Sequence, residues 1–344
     1  MARPDRPVRS FFWPLVGLGA VLVLALVVMG AAAQALAVRR NLAALHITPA
    51  PAPQESRVGG ARLLQLPTLA PTRPGAPAPV TVLLLGTDRR PGQEVTPRSD
   101  AVLVARIDPA RRRVALLSLP RDLWVAIPGH GNNRLNAAYL WGERDGPPGN
   151  GLALARATVS QALGAPIDYV VVADFRGFAG IIDALGGVTV DVPRPLVDHQ
   201  FPTADYRVTT VRFAAGRQRM DGATALAYAR IRHPDSDFER GLRQQAVLVA
   251  IAERLRERGD LATWFAARRV SAALVGYVQT DMPVERMLEL VWTLRDLDPA
   301  AVERYAFTEA DVRFGVDNDR VALSPLPGVM ERYARLLLYG PGEA

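Results

Sequence analysis

The 344-residue chain contains no cysteine and no lysine. The first absence excludes a disulfide framework, thiolate zinc sites, iron–sulfur clusters and cysteine nucleophiles. The second excludes a lysine base and a phosphate-loop lysine, and it leaves all 41 basic side chains as arginine. Histidine is scarce too: His46, His130, His199 and His233 have no ligand spacing and read as loop residues. There is no Gly-x-Ser-x-Gly elbow. A formal charge of +7 suggests nucleic acid at first sight. In a chain rich in Ala, Gly and Pro, however, arginine in place of every lysine is compositional bias, so the placement of the arginines carries more information than their number. Hydrophobic residues at 49% against 22% charged are enough for a folded core. A length of 344 allows two domains at about 150 residues each.

Phe11 to Ala33 is a run of 23 residues without a polar side chain, long enough to cross a hydrocarbon layer of about 30 Å. Arg3, Arg6 and Arg9 precede it and Trp13 sits at its edge, which favours a cytoplasmic N-terminus and an exported remainder. A cleaved signal peptide is the rival reading, since the run Gly30-Ala31-Ala32-Ala33-Gln34-Ala35 could be cut. Ile47 to Pro79 holds eight of the 28 prolines, the composition of an extended spacer or a disordered tether. The expected organisation is therefore residues 1–10 cytoplasmic, 11–38 transmembrane, 39–79 Pro-rich linker and 80–340 an extracytoplasmic domain.

Val80–Leu85, Ala101–Ile107 and Val114–Leu119 read as short buried strands. The links between them are too short for parallel crossovers, so an antiparallel meander is expected. Such a meander brings Asp88 after the first strand, Arg98 and Asp100 before the second, and Arg121 and Asp122 after the third to one rim. Clustered carboxylates call for a cation and clustered guanidiniums for an anion. The expectation is a metal–pyrophosphate site. Further on, Arg230 and Arg232 precede Asp235-Ser-Asp-Phe-Glu239, where the spacing of Ser236 and Glu239 starts a helix. Arg240, Arg243, Gln244, Val247, Leu248 and Ile251 then share one face. A solvated arginine-rich surface helix is the alternative, but such a helix would not put arginine on the apolar stripe. Asp168–Phe175 and Gly187–Val192 read as strands, and Ala153–Leu163 and Phe178–Leu185 as helices.

Taken in order, Val82-Leu-Leu-Leu-Gly-Thr-Asp88-Arg-Arg90, Arg98-Ser-Asp100, Ser118-Leu-Pro-Arg121-Asp122, Arg134-Leu-Asn136-Ala-Ala-Tyr139, Phe178 through Gly187-Val, Tyr228-Ala-Arg230-Ile-Arg232 and Asp237-Phe-Glu-Arg240-Gly-Leu-Arg243-Gln244 resemble the motifs of the LytR-CpsA-Psr family. The likeness is close over about residues 80 to 256 and looser beyond. It implies an α/β fold, a three-layer α/β/α domain around a mixed sheet that begins antiparallel, with a long apolar pocket for a polyprenyl chain. It implies Mg²⁺-dependent (or Mn²⁺-dependent) transfer of a glycopolymer from a polyprenyl-pyrophosphate carrier to peptidoglycan, on the outer side of the membrane lipid. Carried over by motif, Asp88 and Asp100 hold the metal, while Arg98, Arg121, Arg230, Arg232, Arg240, Arg243 and Gln244 bind the pyrophosphate. Asp122 is the candidate proton acceptor beside Arg121, with Asp100 or a water as the alternatives. Arg134 stands where the family has lysine, and Glu239 where it often has glycine. A non-catalytic lipid-binding or sensing protein and a pyrophosphatase on the same lipid remain as alternatives. Nucleic acid is not expected as a partner, because the arginines fall at loop ends and not along a groove-fitting helix.

Overall fold

The computed structural model describes residues 33–48, 78–89, 96, 98–203, 207–232, 235–294, 297–316 and 318–342, with only the backbone for 258–266. A six-stranded mixed sheet organises them, in the order β11-β6-β1-β2-β3-β12. Its middle is the expected meander: β1 (Val80–Thr87), β2 (Ser99–Asp108) and β3 (Arg113–Leu119), paired antiparallel. β6 (Tyr169–Asp174) joins β1 in parallel, and β11 (Val278–Thr280) closes that side antiparallel. On the other side β12 (Glu303–Ala306) runs parallel to β3. Edge pairing here joins segments far apart in the chain: Arg113 forms a two-point ion pair with Glu303 at 2.8 and 2.7 Å.

Both faces of the sheet are buried because the strands are apolar at almost every position, as the run of aliphatics in β1 foretells. Leu83, Leu85, Val102, Val104, Leu117 and Leu119 face one core, which is covered by α2 (Ala137–Asp145), α3 (Asn150–Leu163) and α8 (Val329–Tyr339). Val80, Val82, Leu103, Ala105 and Leu116 face the other, under α7 (Val284–Leu294) and part of α6 (Asp237–Leu274). The fold is thus α/β with helices on both faces of a mixed sheet, in agreement with the expected three layers. A third core lies beside it, formed by α4 (Phe175–Ala184), α5 (Gly222–Arg230) and two strand pairs. These are β7 (Val188–Val192) with β10 (Gly216–Met220), and β8 (Leu196–Pro202) with β9 (Val208–Phe213). Two further hairpins, β4 (Trp124–Ile127) with β5 (Gly131–Arg134) and β13 (Val312–Val316) with β14 (Asp319–Pro325), cover the meander's upper end. There the Leu323 N–H donates to the Asp122 carbonyl at 2.9 Å.

The expected membrane span over 11–38 lies largely outside the described residues. Residues 33–43 form a helix (α1), and among the described residues no helix is long and apolar enough to cross a membrane. The stretch 39–48, expected to open the spacer, is part of the folded body instead. Leu45 is buried, the Ile47 N–H donates to the Thr280 carbonyl at 2.7 Å, and Arg39 pairs with Glu285 at 2.8 Å. The physical reason is the exposed edge of β11, whose unpaired backbone groups this segment satisfies.

Candidate active site

The rim expected from the meander exists. β1 and β2 pair regularly until Gly86↔Ala101, after which Thr87 pairs with Ser99 and leaves Asp100 as an extra residue in a β-bulge. Bulges of this kind break the alternation of side chains and redirect one of them at a sheet edge. Asp100 accepts from Arg121 Nη1 at 2.5 Å, and its carbonyl accepts from Arg240 Nη2 at 3.1 Å. Asp88, one residue beyond β1, faces Arg230 Nη2 at 3.4 Å. The Arg230 guanidinium lies over the rings of Phe175 and Phe201, at 4.6 and 5.4 Å, a cation–π arrangement that fixes the head group.

α6 supplies the other wall. Ser236 caps it, accepting from the Glu239 N–H at 3.3 Å, as its spacing with Glu239 requires. The helix lies close to β3 because residue 241 is glycine: a Cβ there would come within 2.9 Å of Ser118 Cβ. This approach places Arg240 and Gln244 in a cleft of about 330 Å³ together with Asp100, Ser118, Arg121 and Phe307. Asp237, which the sequence reading passed over as part of a cap, is the hub of the group. Its carboxylate lies 2.9 Å from Arg240 Nη2, 3.4 Å from Arg121 Nε and 3.4 Å from Arg232 Nε. Its place in the first helical turn, three residues before Arg240, was a signal that could have found it.

The electrostatics follow from burial. Desolvation pulls the Arg240 guanidinium below the ordinary arginine value; Asp237 and Asp100 offset this, while Arg121 and Arg232 add to it. Arg121 is also desolvated, but Asp237, Asp100 and Asp122 outweigh that and hold it above the ordinary value. The cleft therefore presents permanently charged guanidiniums against a low-dielectric wall, the setting in which an incoming anion is held most strongly.

Most of the residues expected at the site meet here: Asp88, Asp100, Arg121, Arg230, Arg232, Arg240 and Gln244 line the rim or adjoin it. Arg98 is exposed just before β2 and has no ion pair among the described residues. Arg243 is placed differently from the expectation. Its guanidinium is buried against Asp235, at 2.6 and 3.0 Å, and donates to the Ile231 carbonyl at 2.6 Å. It ties the 231–235 turn to α6 and does not line the cleft. Asp122 is also more enclosed than a proton acceptor in contact with substrate would be. It is 4% exposed, and its carboxylate accepts from Arg134 Nη1 at 3.0 Å and faces Arg121 Nε and Asn136 Nδ2 at 3.4 Å each. Arg134 takes up that contact from the position where the family has lysine.

A metal would find an oxygen-only pair in Asp88, just beyond β1, and Asp100, in the bulge that opens β2. Among the described residues no group of three or more His, Asp and Glu is arranged to hold an ion unaided. Two carboxylates fit a hard divalent ion that completes its shell with water and phosphate oxygens.

A mixed sheet with helices on both faces and an arginine-rich, carboxylate-bearing rim defines an α/β protein. Comparison with known proteins is specific: the LytR_cpsA_psr family model matches residues 68–322, and the chain belongs to that family. It is 36% identical over 184 residues, 53% of this chain and 54% of the relative, to the polyisoprenyl-teichoic acid–peptidoglycan teichoic acid transferase TagT of Bacillus subtilis (strain 168). It is 31% identical over 207 residues, 59% of this chain and 57% of the relative, to the regulatory protein MsrR of Staphylococcus aureus (strain COL). The chain thus spans a little over half the length of these curated relatives. Among solved structures, TagT bound to LI-WTA is similar with a TM-score of 0.60 and 26% identity, covering 85% of this chain and 98% of that one.

Proposed function

We propose that the protein is a phosphotransferase of the cell envelope. It moves a glycopolymer from a polyprenyl-pyrophosphate carrier to a peptidoglycan hydroxyl and releases polyprenyl phosphate. The observation that carries this reading is the convergence of Arg121, Arg230, Arg232 and Arg240 with Asp88 and Asp100, from segments as far apart as residues 88 and 240, along one rim. Guanidinium forks grip phosphoryl oxygens, and the membership of the family adds relatives named as teichoic acid transferases. The arginines of this open cleft suit a diphosphate head group, and a long isoprenoid tail would lie along other surface.

In the proposed step the acceptor hydroxyl oxygen forms a bond to the phosphorus that carries the glycopolymer. The bond from that phosphorus to the bridging oxygen breaks, and polyprenyl phosphate leaves with the electron pair. Arg121 and Arg240 bind and orient the diphosphate and meet the charge that grows on the leaving oxygen, so positioning and electrostatics supply most of the acceleration. Asp237 holds these guanidiniums in place. Asp122, enclosed by Arg121, Arg134 and Asn136, is a positioning residue. The hydroxyl proton passes to a water at the open rim, since Asp100 is engaged by Arg121. Asp88 and Asp100 would hold Mg²⁺ or Mn²⁺, which when bound neutralises phosphoryl charge.

The test uses the full chain in detergent with a polyprenyl-pyrophosphate oligosaccharide, peptidoglycan and Mg²⁺. Wall-linked product is expected, and Asp88→Ala or Asp100→Ala should lower transfer by about 10²–10³ while lipid retention survives. Retained lipid without wall-linked product would favour a binding or sensing protein, and polymer released without an acceptor would favour a pyrophosphatase. Transfer and retention both indifferent to these changes would refute the rim's role.

A further inference from the structure

A transferase must seat two substrates, and the rim has a second cleft on its other flank. The strand order places β2, β3 and β12 to one side of β1, and β6 and β11 to the other. The arginine cleft opens at the ends of β2, β3 and β12. The second, of about 330 Å³, opens at the ends of β1, β6 and β11 beside α2, where Thr87, Arg89, Tyr139, Asp174, Tyr277 and Gln279 line it. Thr87 directly precedes Asp88 and pairs with Ser99, which directly precedes Asp100 of the first cleft, so the second cleft lies beside these carboxylates.

The chemistry of the two clefts differs. The arginine cleft concentrates positive charge. Among the described residues the second is lined by one guanidinium, Arg89, and one carboxylate, Asp174, which lies 4.0 Å from Arg176 Nη2; its other polar groups are two phenols, a hydroxyl and a carboxamide. Aromatic faces take the apolar C–H side of a sugar ring, and amide, hydroxyl and carboxylate groups at its edge pair with sugar hydroxyls. That is a lining for an uncharged saccharide and a poor one for a diphosphate.

It is also built to hold its shape. The Tyr277 backbone is fixed on both sides: its carbonyl accepts from the Asp174 N–H at 2.9 Å, and its N–H donates to the Leu274 carbonyl at 3.0 Å. Its ring lies under the Arg176 guanidinium at 4.8 Å. Gly177 packs so closely that a Cβ there would sit 2.8 Å from Tyr277 Cβ. Asp174 Oδ1 caps α4, accepting from the Arg176 and Gly177 N–H groups at 2.9 Å each. Tyr139 is 5% exposed, and its hydroxyl donates to Gln279 Oε1 over a long 3.4 Å. Burial, with Glu143 adding and Arg89 offsetting, pushes this phenol well above its ordinary value, so it stays a neutral donor across the working pH range. A buried hydroxyl with only one long hydrogen bond, at the wall of a cleft, retains capacity for a ligand.

We propose that the cleft between β1, β6 and β11 is the acceptor subsite, which seats one uncharged saccharide of the glycan strand and presents its hydroxyl to the rim at Asp88 and Asp100. This assignment rests on the transferase reading above and adds to it the place and chemistry of the second substrate. Tyr277 and Gln279 are the residues that set acceptor affinity.

The probe is a soluble, uncross-linked peptidoglycan glycan oligomer titrated against the full-length protein, with polyprenyl diphosphate titrated in parallel. Tyr277→Ala and Gln279→Ala should each weaken glycan binding about tenfold, the scale of one good aromatic or hydrogen-bonding contact. They should raise the acceptor KM to match and leave diphosphate affinity within twofold. Tyr277→Phe, which keeps the ring, should bind as the wild type does. Unchanged glycan affinity in both alanine variants, or a wild type that binds no glycan, overturns the subsite. So does a parallel fall in diphosphate affinity, since the cleft would then serve the donor. If the wild type binds glycan through these residues yet transfers nothing to it, the subsite stands and the transferase reading alone fails.

Discussion

Replacing Asp122 by Asn separates two roles for this carboxylate. The substitution keeps shape and removes charge. As a positioning residue, Asp122 neutralises Arg134 and Arg121, whose side chains are 26% and 16% exposed. The 3.0 Å contact with Arg134 is a charge-assisted hydrogen bond, and the 3.4 Å approach of Arg121 is weaker. Losing the first costs about 1.5–3 kcal/mol, and the second adds a part of that, since a partly wet guanidinium recovers water. A total of about 3 kcal/mol lowers Tm by roughly 6–12 °C in a domain of this size. Arg121, freed on one side, should also hold the diphosphate less tightly. As a general base, Asp122 would instead contribute about 10²–10⁴ in kcat, and its loss would remove the acidic limb of the pH–rate profile with little change in Tm. Thermal unfolding, diphosphate titration and a pH–rate profile on one variant decide the matter. A fully stable Asp122→Asn protein with unchanged diphosphate affinity, a hundredfold lower kcat and no acidic limb would refute the positioning role.

Gly241→Ala should push α6 away from β3, because the new Cβ meets Ser118 Cβ at 2.9 Å; overpacking of this kind costs about 1–3 kcal/mol, and both unfolding and diphosphate binding should register it. Asp311 lies below its ordinary 3.8: burial pushes it up, but the Thr308 N–H and hydroxyl, Tyr333 and Arg332 outweigh that. A depressed carboxylate stabilises the fold above its unfolded pKa and loses that contribution as pH falls through the folded one. Unfolding curves should therefore show Asp311→Asn costing stability at neutral pH and converging on the wild type below about pH 3.8. Because Asp88 and Asp100 are each engaged by an arginine, at 3.4 and 2.5 Å, a divalent ion on the carboxylates should release Arg230 and Arg121 towards an anion. Calorimetric titration should then find diphosphate binding weaker after chelation, and metal binding strengthened equally by diphosphate; independent affinities would exclude the coupling.

The meander and the cap of α6 were legible in the sequence because their causes are local. Aliphatic runs broken by Gly86 and by Asp108-Pro109 set β1 to β3, and Ser236 with Glu239 sets the helix start. The strand ends then define the rim on which Asp88, Asp100 and Arg121 lie. The edge strands were not legible: β11 and β12 are three and four residues long, and β12 finds its place through pairing with β3 some 190 residues earlier. The polar stripe of α6 was read as one face, and it is two. Arg240, Gln244 and Leu248 face the cleft and the sheet, while Arg243, Val247 and Ile251 face the neighbouring core and its boundary turn. A helix wedged between two cores shows a single broad stripe, and its period does not say which residue faces which.

That division explains why some buried arginines belong to the candidate site and others do not. Arg243 has a carboxylate across two contacts and a carbonyl on the same guanidinium, and Arg113 has the same complement from Glu303, Leu336 and Leu337. Such cations are structural, since an incoming anion would have to displace a partner of equal charge and better geometry. Arg240 is deeply desolvated, and its closest carboxylate, Asp237, is shared with Arg121 and Arg232. Arg121 has Asp100 and Asp122 as well, but among the described residues Arg232 and Arg240 pair with no carboxylate other than the shared Asp237. A folded protein retains such an arrangement at a cost in stability, because desolvated like charges repel. An anion with several oxygens removes that cost on arrival. A shared carboxylate at an open wall, more than burial or arginine content alone, distinguishes this cluster from Arg243 and Arg113.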